Sequence, residues 1–345
     1  MTAIVTVVNS LFQKALRCQN TDRPPIWLMR QAGRYLPPYQ KLRSERSLLE
    51  MFHCKQTIVE VTKQPINILG VDAAIVFSDI LMVLDGFGID WRFEEGLGPV
   101  ITPSIEKVID LPEKIQGYPY SPLYEAILQL KSELRVPLLG FAGAPFTIAS
   151  YLIEGKTSRD HLKTKKWLYS DPLSFHSLLN KITEAIIDFL LIQREAGVDA
   201  VQLFDSWAGI LSADLYEEFS CSYLKKIIKA LNIPVILYSR GSSYFASRLV
   251  KIRPNCISVD WSLPLKEVRK QIPAAIAVQG NLDPSLLFSS QRIIEREVLK
   301  LLKQMNGDPG FIFNLGHGVL SQTPVENVLY LVDLVKSWRP SLLPC

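Results

Sequence analysis

The 345-residue sequence predicts an α/β fold, and within that class a (β/α)8 TIM barrel that takes up residues 1–345 as one domain. Three observations lead there. Apolar runs of strand length recur eight times, each continuous rather than alternating, as parallel strands covered on both faces require. Amphipathic helical stretches with capping residues stand between them. No linker rich in Pro, Gly or Ser and no break in composition divides the chain, and such barrels run from about 250 residues to beyond 400 with insertions. A doubly wound open sheet is the alternative. Its dinucleotide-binding form needs G-x-G-x-x-G after the first strand, and "DGFGIDW" and "EGLGPV" both lack the third glycine.

In chain order the runs are "IWLM" (26–29), "AAIVF" (73–77), "PLLGFAG" (137–143), "AVQLF" (200–204), "PVILYS" (234–239), "CISVDW" (256–261), "AIAVQG" (275–280) and "FIFNLG" (311–316). Among the helices, "KITEAIIDFLLIQREAG" places Ile182, Ala185, Ile186, Phe189 and Leu190 on one apolar stripe and Gly197 at the C-terminal cap. "TPVENVLYLVDLVKSW" offers Thr323 as N-cap, Pro324 at the first helical position and Glu326 to complete a capping box. "DPLSFHSLL" and "DPSLLF" open the same way on Asp171-Pro172 and Asp283-Pro284. The segment 84–120 is the largest irregular insertion.

Composition narrows the function classes. With 48% hydrophobic and 21% charged residues the chain can bury a large core. A net charge of +4 supplies no blanket basic field, so no nucleic-acid partner is expected. The one dense basic run, "KTKKW" (163–167), reads as a solvated face. Five scattered cysteines (Cys18, Cys54, Cys221, Cys256, Cys345) without a C-x-x-C pair point to a reducing compartment and against a disulfide framework or a zinc site. The N-terminal "MTAIVTVVNSLFQKALR" lacks a basic leader and a cleavage site, and nowhere do about 18 apolar residues run unbroken, so neither export nor a membrane span is expected. A cytoplasmic location follows. The terminal "LLPC" is not a prenylation box.

In a barrel the loops after the C-terminal ends of the strands build the active site. Applied here, that rule collects Arg30, Gln31 and Arg34 after the first run, Ser78 and Asp79 after the second, and Gly143, Pro145 and Tyr151 after the third. Asp205 and Ser206, Arg240 and Gly241, Asp260, Asn281 and Asp283, and Asn314 and His317 follow the others. Several have ordinary structural readings: Asp79 as a helix cap, His317 as a core histidine, Asp205, Asp260 and Asp283 as ties for loops. The arginines resist such a reading. Residues 24–43 hold no acid until beyond the loop, and two guanidiniums beside a buried strand end ask for carboxylates or phosphates. An anionic ligand is expected. H-E-x-x-H, the P-loop, G-x-S-x-G and any zinc ligand set are absent, which leaves proton transfer on a polyanion without metal or cofactor.

"PPIWLMRQAGRYLPPY", "IVFSDIL", "GFAGAPFTIASYLIEG", "LFDSWAG", "VQGNLDP" and "FNLGHGV" resemble, in order and over essentially the whole chain, the signature segments of the uroporphyrinogen decarboxylase family. The resemblance implies a (β/α)8 barrel, a homodimer, no metal or organic cofactor, and conversion of the four acetate side chains of uroporphyrinogen III to methyls with release of carbon dioxide, giving coproporphyrinogen III. By motif position it places Arg30, Gln31, Arg34 and Arg43 in the substrate cleft. By the same resemblance Asp79 is expected to face the pyrrole nitrogens, and Tyr151, Ser206 and His317 to line the pocket; Asp79, Arg30 and Tyr151 are the catalytic candidates. Five positions depart from the family pattern: Leu84 where a proline is usual, Phe146 for tryptophan, Arg240 for lysine, and Ser321-Gln322 for acidic residues or proline. The rival readings are a zinc-dependent corrinoid methyltransferase of the same superfamily, for which His317 lacks a nearby cysteine, and a non-catalytic tetrapyrrole carrier, which would not demand Asp79.

Overall fold

The architecture comes from a computed structural model that describes residues 10–114 and 119–340. The apolar residues 1–9 and the terminal "LLPC" lie outside that range. The described residues form nine strands: β1 (Ala74–Ile75), β2 (Trp91–Glu94), β3 (Gly98–Ile101), β4 (Leu138–Gly143), β5 (Ala200–Asp205), β6 (Val235–Ser239), β7 (Cys256–Ser258), β8 (Ala277–Leu282) and β9 (Phe311–Leu315). Seven form one parallel sheet in the order β1-β4-β5-β6-β7-β8-β9. The core strands β4, β6 and β9 are buried at every position, in keeping with continuous apolar runs covered on both faces.

The first expected strand, 26–29, does not join that sheet as a ladder. Ile26 makes an isolated parallel bridge to Phe313, the Phe313 N–H donates to the Pro25 carbonyl (2.8 Å), and the Asp72 N–H donates to the Ile26 carbonyl (2.7 Å). Pro24 and Pro25 have no N–H to offer, and the Gln31 N–H already turns back to Leu28 O (3.0 Å), which leaves few residues free to pair. What anchors the segment is Arg23, whose guanidinium holds Asp72 through two bonds of 2.7 and 2.8 Å while Asp72 also accepts the Ile26 N–H.

Two further expectations are corrected. The segment 84–120 takes in the end of a short 3-10 helix (Met82–Phe87) and the antiparallel hairpin β2–β3, held on the body by Trp91 and Phe93 packing on Phe52 and by the Trp91 indole donating to Asp85 (2.9 Å). Thr323 does not cap the last helix. That helix runs Val325–Ser337 from Pro324, and the buried Thr323 hydroxyl finds no bonding partner among the described residues, because the chain enters the helix one residue later than the capping pattern suggests. The stripe around Ile182 belongs to a single helix, Pro172–Glu195, capped by the Asp171 carboxylate, which accepts from Ser174 N (3.1 Å). Gly197 follows it at φ +104°.

Beneath the strand ends runs a buried polar network. The Trp27 indole donates to Gln279 Oε1 (2.8 Å), and Gln279 Nε2 donates to Gln202 Oε1 (3.0 Å) and Ser258 Oγ (2.9 Å). It joins the first segment to β5, β7 and β8. At the opposite ends of β4 and β5, Lys131 pairs with Asp199 (2.6 Å), which also accepts the Leu138 N–H (2.7 Å). Among the described residues no helix is long and apolar enough to cross a membrane.

Candidate active site

All strands of the main sheet point the same way, with Gly143 beside Phe204, Asp205 beside Ser239 and Leu282 beside Leu315, so the segments that follow them gather on one edge. Asp79 lies four residues beyond β1, half-buried. One of its oxygens accepts the Leu81 N–H (2.9 Å), the cap-like role open to it from sequence; no partner holds the other among the described residues. Burial pushes its pKa up to about 6, against the pull of that N–H and of Arg30.

Arg30 is exposed and stands at φ +59°, a left-handed conformation that costs a non-glycine residue energy and is worth a look for function. From there its charge reaches Asp79, Tyr151, Tyr238 and His317. No carboxylate among the described residues forms an ion pair with Arg30 or Arg34. Gly318 explains how the side chain reaches that position, since a Cβ there would fall 2.5 Å from Arg30 Cδ.

His317 is half-buried between the rings of Tyr238 (6.2 Å between centroids) and Trp261 (6.4 Å). Burial, then Arg30 and Arg240, press its pKa down to about 4, so the imidazole is neutral at pH 7. Tyr151 is buried on the helix Pro145–Glu154, its ring edge-on to Trp207 (5.9 Å). Burial first and the Asp79 charge second raise its phenol pKa. Ser206, half-buried, sits between Asp205 and Trp207.

The remaining candidates take different places. Gln31 is buried with its amide committed to the backbone: Oε1 accepts from Leu28 N (3.1 Å) and Nε2 donates to Ala73 O (3.1 Å). It shapes the turn on which Arg30 sits. Arg34 and Arg43 converge on Tyr39, which Asp79 also influences, and Arg43 donates to the Arg46 carbonyl. Tyr39, Tyr238 and Trp207 were not singled out from sequence. Each is an aromatic in an apolar context, indistinguishable there from core; only the hydroxyls of the two tyrosines hinted otherwise.

Of the departures, Leu84 is buried in the 3-10 helix and its N–H donates to Leu81 O (2.8 Å), a bond that proline cannot make. Phe146 is buried edge-on to Phe175, and Arg240 is exposed at the end of β6. The four described cysteines are free, and no group of three or more His, Cys, Asp and Glu among the described residues is arranged to hold a metal ion.

Comparison with known proteins gives this geometry a context. A solved methyltransferase from Methanosarcina mazei superposes over 95% of this chain and 98% of its own with a TM-score of 0.80 at 20% identity, a likeness of fold. A uroporphyrinogen decarboxylase from Protochlamydia amoebophila is 47% identical over 338 residues, covering 96% of this chain and 92% of that one. One from Carboxydothermus hydrogenoformans is 42% identical over 95% of this chain and 96% of its own length. The family model described as Uroporphyrinogen decarboxylase (URO-D) matches residues 8–338. The chain therefore belongs to the uroporphyrinogen decarboxylase family.

Proposed function

We propose that this chain is a carboxy-lyase that converts uroporphyrinogen III to coproporphyrinogen III in porphyrin biosynthesis, acting as a homodimer in the cytoplasm without a metal or organic cofactor. The family match over nearly the whole chain carries the reading. The fold in this reading is a closed (β/α)8 barrel in one domain. It is supported by the segment at Ile26, which bonds to β9 on one side and to the residue before β1's run on the other. Exposed rings at Tyr244, Trp261 and Phe288, all carried just after sheet strands, support a partner seated over that edge.

The chemistry follows from the substrate. Losing carbon dioxide directly from an acetate arm would leave a poorly stabilised carbanion. Protonation of the adjacent pyrrole carbon makes the ring a cationic electron sink. The bond between the methylene and the carboxylate then breaks, its electron pair flows into the ring, carbon dioxide leaves, a proton adds to the resulting exocyclic methylene to give a methyl, and the proton first placed on the ring carbon departs to restore the pyrrole. Each arm consumes one proton net and releases one carbon dioxide. The substrate does a cofactor's work. Asp79, with one oxygen bound to Leu81 N, keeps the other for the pyrrole N–H groups and for the positive charge that develops on the ring, a preorganised electrostatic role. Arg30, Arg34 and Arg43 take the acid side chains of the macrocycle, and neutral His317, Ser206 and Tyr151 meet carboxylates through hydrogen bonds.

The test is an anaerobic assay with freshly reduced uroporphyrinogen III and chelator present, products separated by carboxyl number. Coproporphyrinogen should accumulate. Activity abolished by chelator and restored by zinc would instead support the methyltransferase-like reading.

A further inference from the structure

The mechanism makes no use of one group that the fold surrounds with care. Asp205, the last residue of β5, is 1% exposed and has no cationic partner among the described residues. A buried carboxylate needs donors on both oxygens to be tolerated. Thr147 Oγ1 donates to Oδ1 (2.9 Å) and Ser220 Oγ donates to Oδ2 (2.5 Å). Thr147 Oγ1 in turn accepts the Trp207 N–H (3.1 Å).

The elements behind these bonds give them meaning. Thr147 lies one helical turn before Tyr151, so the bond to Asp205 holds the face of the helix that presents the phenol. Trp207 follows Ser206, so the second bond holds the loop that carries the serine. Its ring rests edge-on against Tyr151. Ser220 comes from a π-helical turn, Glu217–Cys221, an irregularity that aims its hydroxyl back at the strand end. One carboxylate thus fastens together the helix bearing Tyr151 and the loop bearing Ser206.

We infer that Asp205 is a positioning residue of the decarboxylation site, setting through Thr147 the spacing between Tyr151 and the Ser206–Trp207 loop. The inference rests on the function proposed above. A reacting group displaced by about 1 Å can cost about 100-fold in rate, so the effect belongs in turnover rather than in the fold alone.

The decisive variant is Thr147→Val, which keeps shape and removes the hydroxyl. Turnover should fall about tenfold or more, and Thr147→Ser should restore it. In a Tyr151→Phe background the same Thr147→Val change should cost less than about twofold, because the phenol whose place it sets is gone; a purely structural lesion would cost as much in either background. Ser220→Ala, at the other oxygen, should lower turnover too and serves if Thr147→Val does not fold. Wild-type turnover in Thr147→Val and Ser220→Ala, or equal losses with and without the Tyr151 hydroxyl, would overturn the inference. Failure of the wild-type enzyme to decarboxylate would instead overturn the function it rests on.

Discussion

Gly318 makes room for Arg30: a Cβ at position 318 would lie 2.5 Å from Arg30 Cδ, 2.6 Å from Cγ and 3.0 Å from Cβ. Such distances are not adopted, so any side chain at 318 must push the arginine stem aside. Gly318→Ala should therefore lower kcat/KM for uroporphyrinogen about tenfold or more, in the manner of Arg30→Ala, with little change in Tm because Arg30 is exposed. Unimpaired Gly318→Ala beside a crippled Arg30→Ala would show that the packing does not serve the arginine's function.

In the role proposed for Asp79, its pKa should set a pH limb. With the carboxyl raised to about 6 and required as carboxylate, kcat/KM should decline below roughly pH 6, and Asp79→Asn should cut turnover by orders of magnitude. The sign on stability is opposite. A carboxyl whose pKa is higher in the folded state than in the unfolded state costs stability as pH rises through the folded value, so Asp79→Asn should raise Tm at pH 7 and lose that advantage toward pH 4. Asp205 is also held at about 6 by burial but bonds only hydroxyls, so Asp205→Asn should keep the limb. A profile flat from pH 5 to 8 would contradict the assignment.

Gln279 is the centre of the network under the site, so Gln279→Met should strand the Trp27 indole N–H and Gln202 Oε1 in the core. The expected cost is about 2–4 kcal/mol, read as a lower urea midpoint at constant slope. An unchanged midpoint would mean that the neighbours repair the loss.

Lys131 and Asp199 form an ion pair whose side chains are 7% and 12% exposed, at the sheet end away from the candidate site. Lys131→Met leaves Asp199 uncompensated and should cost about 3–5 kcal/mol in chemical denaturation. Its kcat/KM at 25 °C should stay within about twofold of wild type. A large activity loss with intact stability would deny the separation between the two ends of the sheet.

How much of this was readable in advance depends on the kind of signal. Seven of the eight apolar runs hold the main-sheet strands, because strands covered on both faces must be apolar throughout and such runs stand out. The hairpin Trp91–Ile101 did not stand out: its strands are short, only partly buried, and interrupted by glycine and proline. Thr323 matched a capping pattern letter for letter yet lies buried outside the helix, since a pattern of residue types does not say where the chain turns. For the site, Arg30, Asp79, Tyr151 and His317 could be named from their places after strand-like runs. Their grouping around the Arg30 charge, with Tyr238 joined to them and Tyr39 reached by Asp79, could not.

By itself, then, the sequence determined the residue chemistry available at each strand end and the family of the chain, because both are written in local order and composition. Only tertiary structure decided which groups share an electrostatic environment, which oxygen of Asp79 remains free, that Gln31 is turned inward, and that Asp205 is bonded from two separate elements. Those properties depend on distances between segments up to hundreds of residues apart and on how deeply packing takes each group from water. No local pattern encodes either.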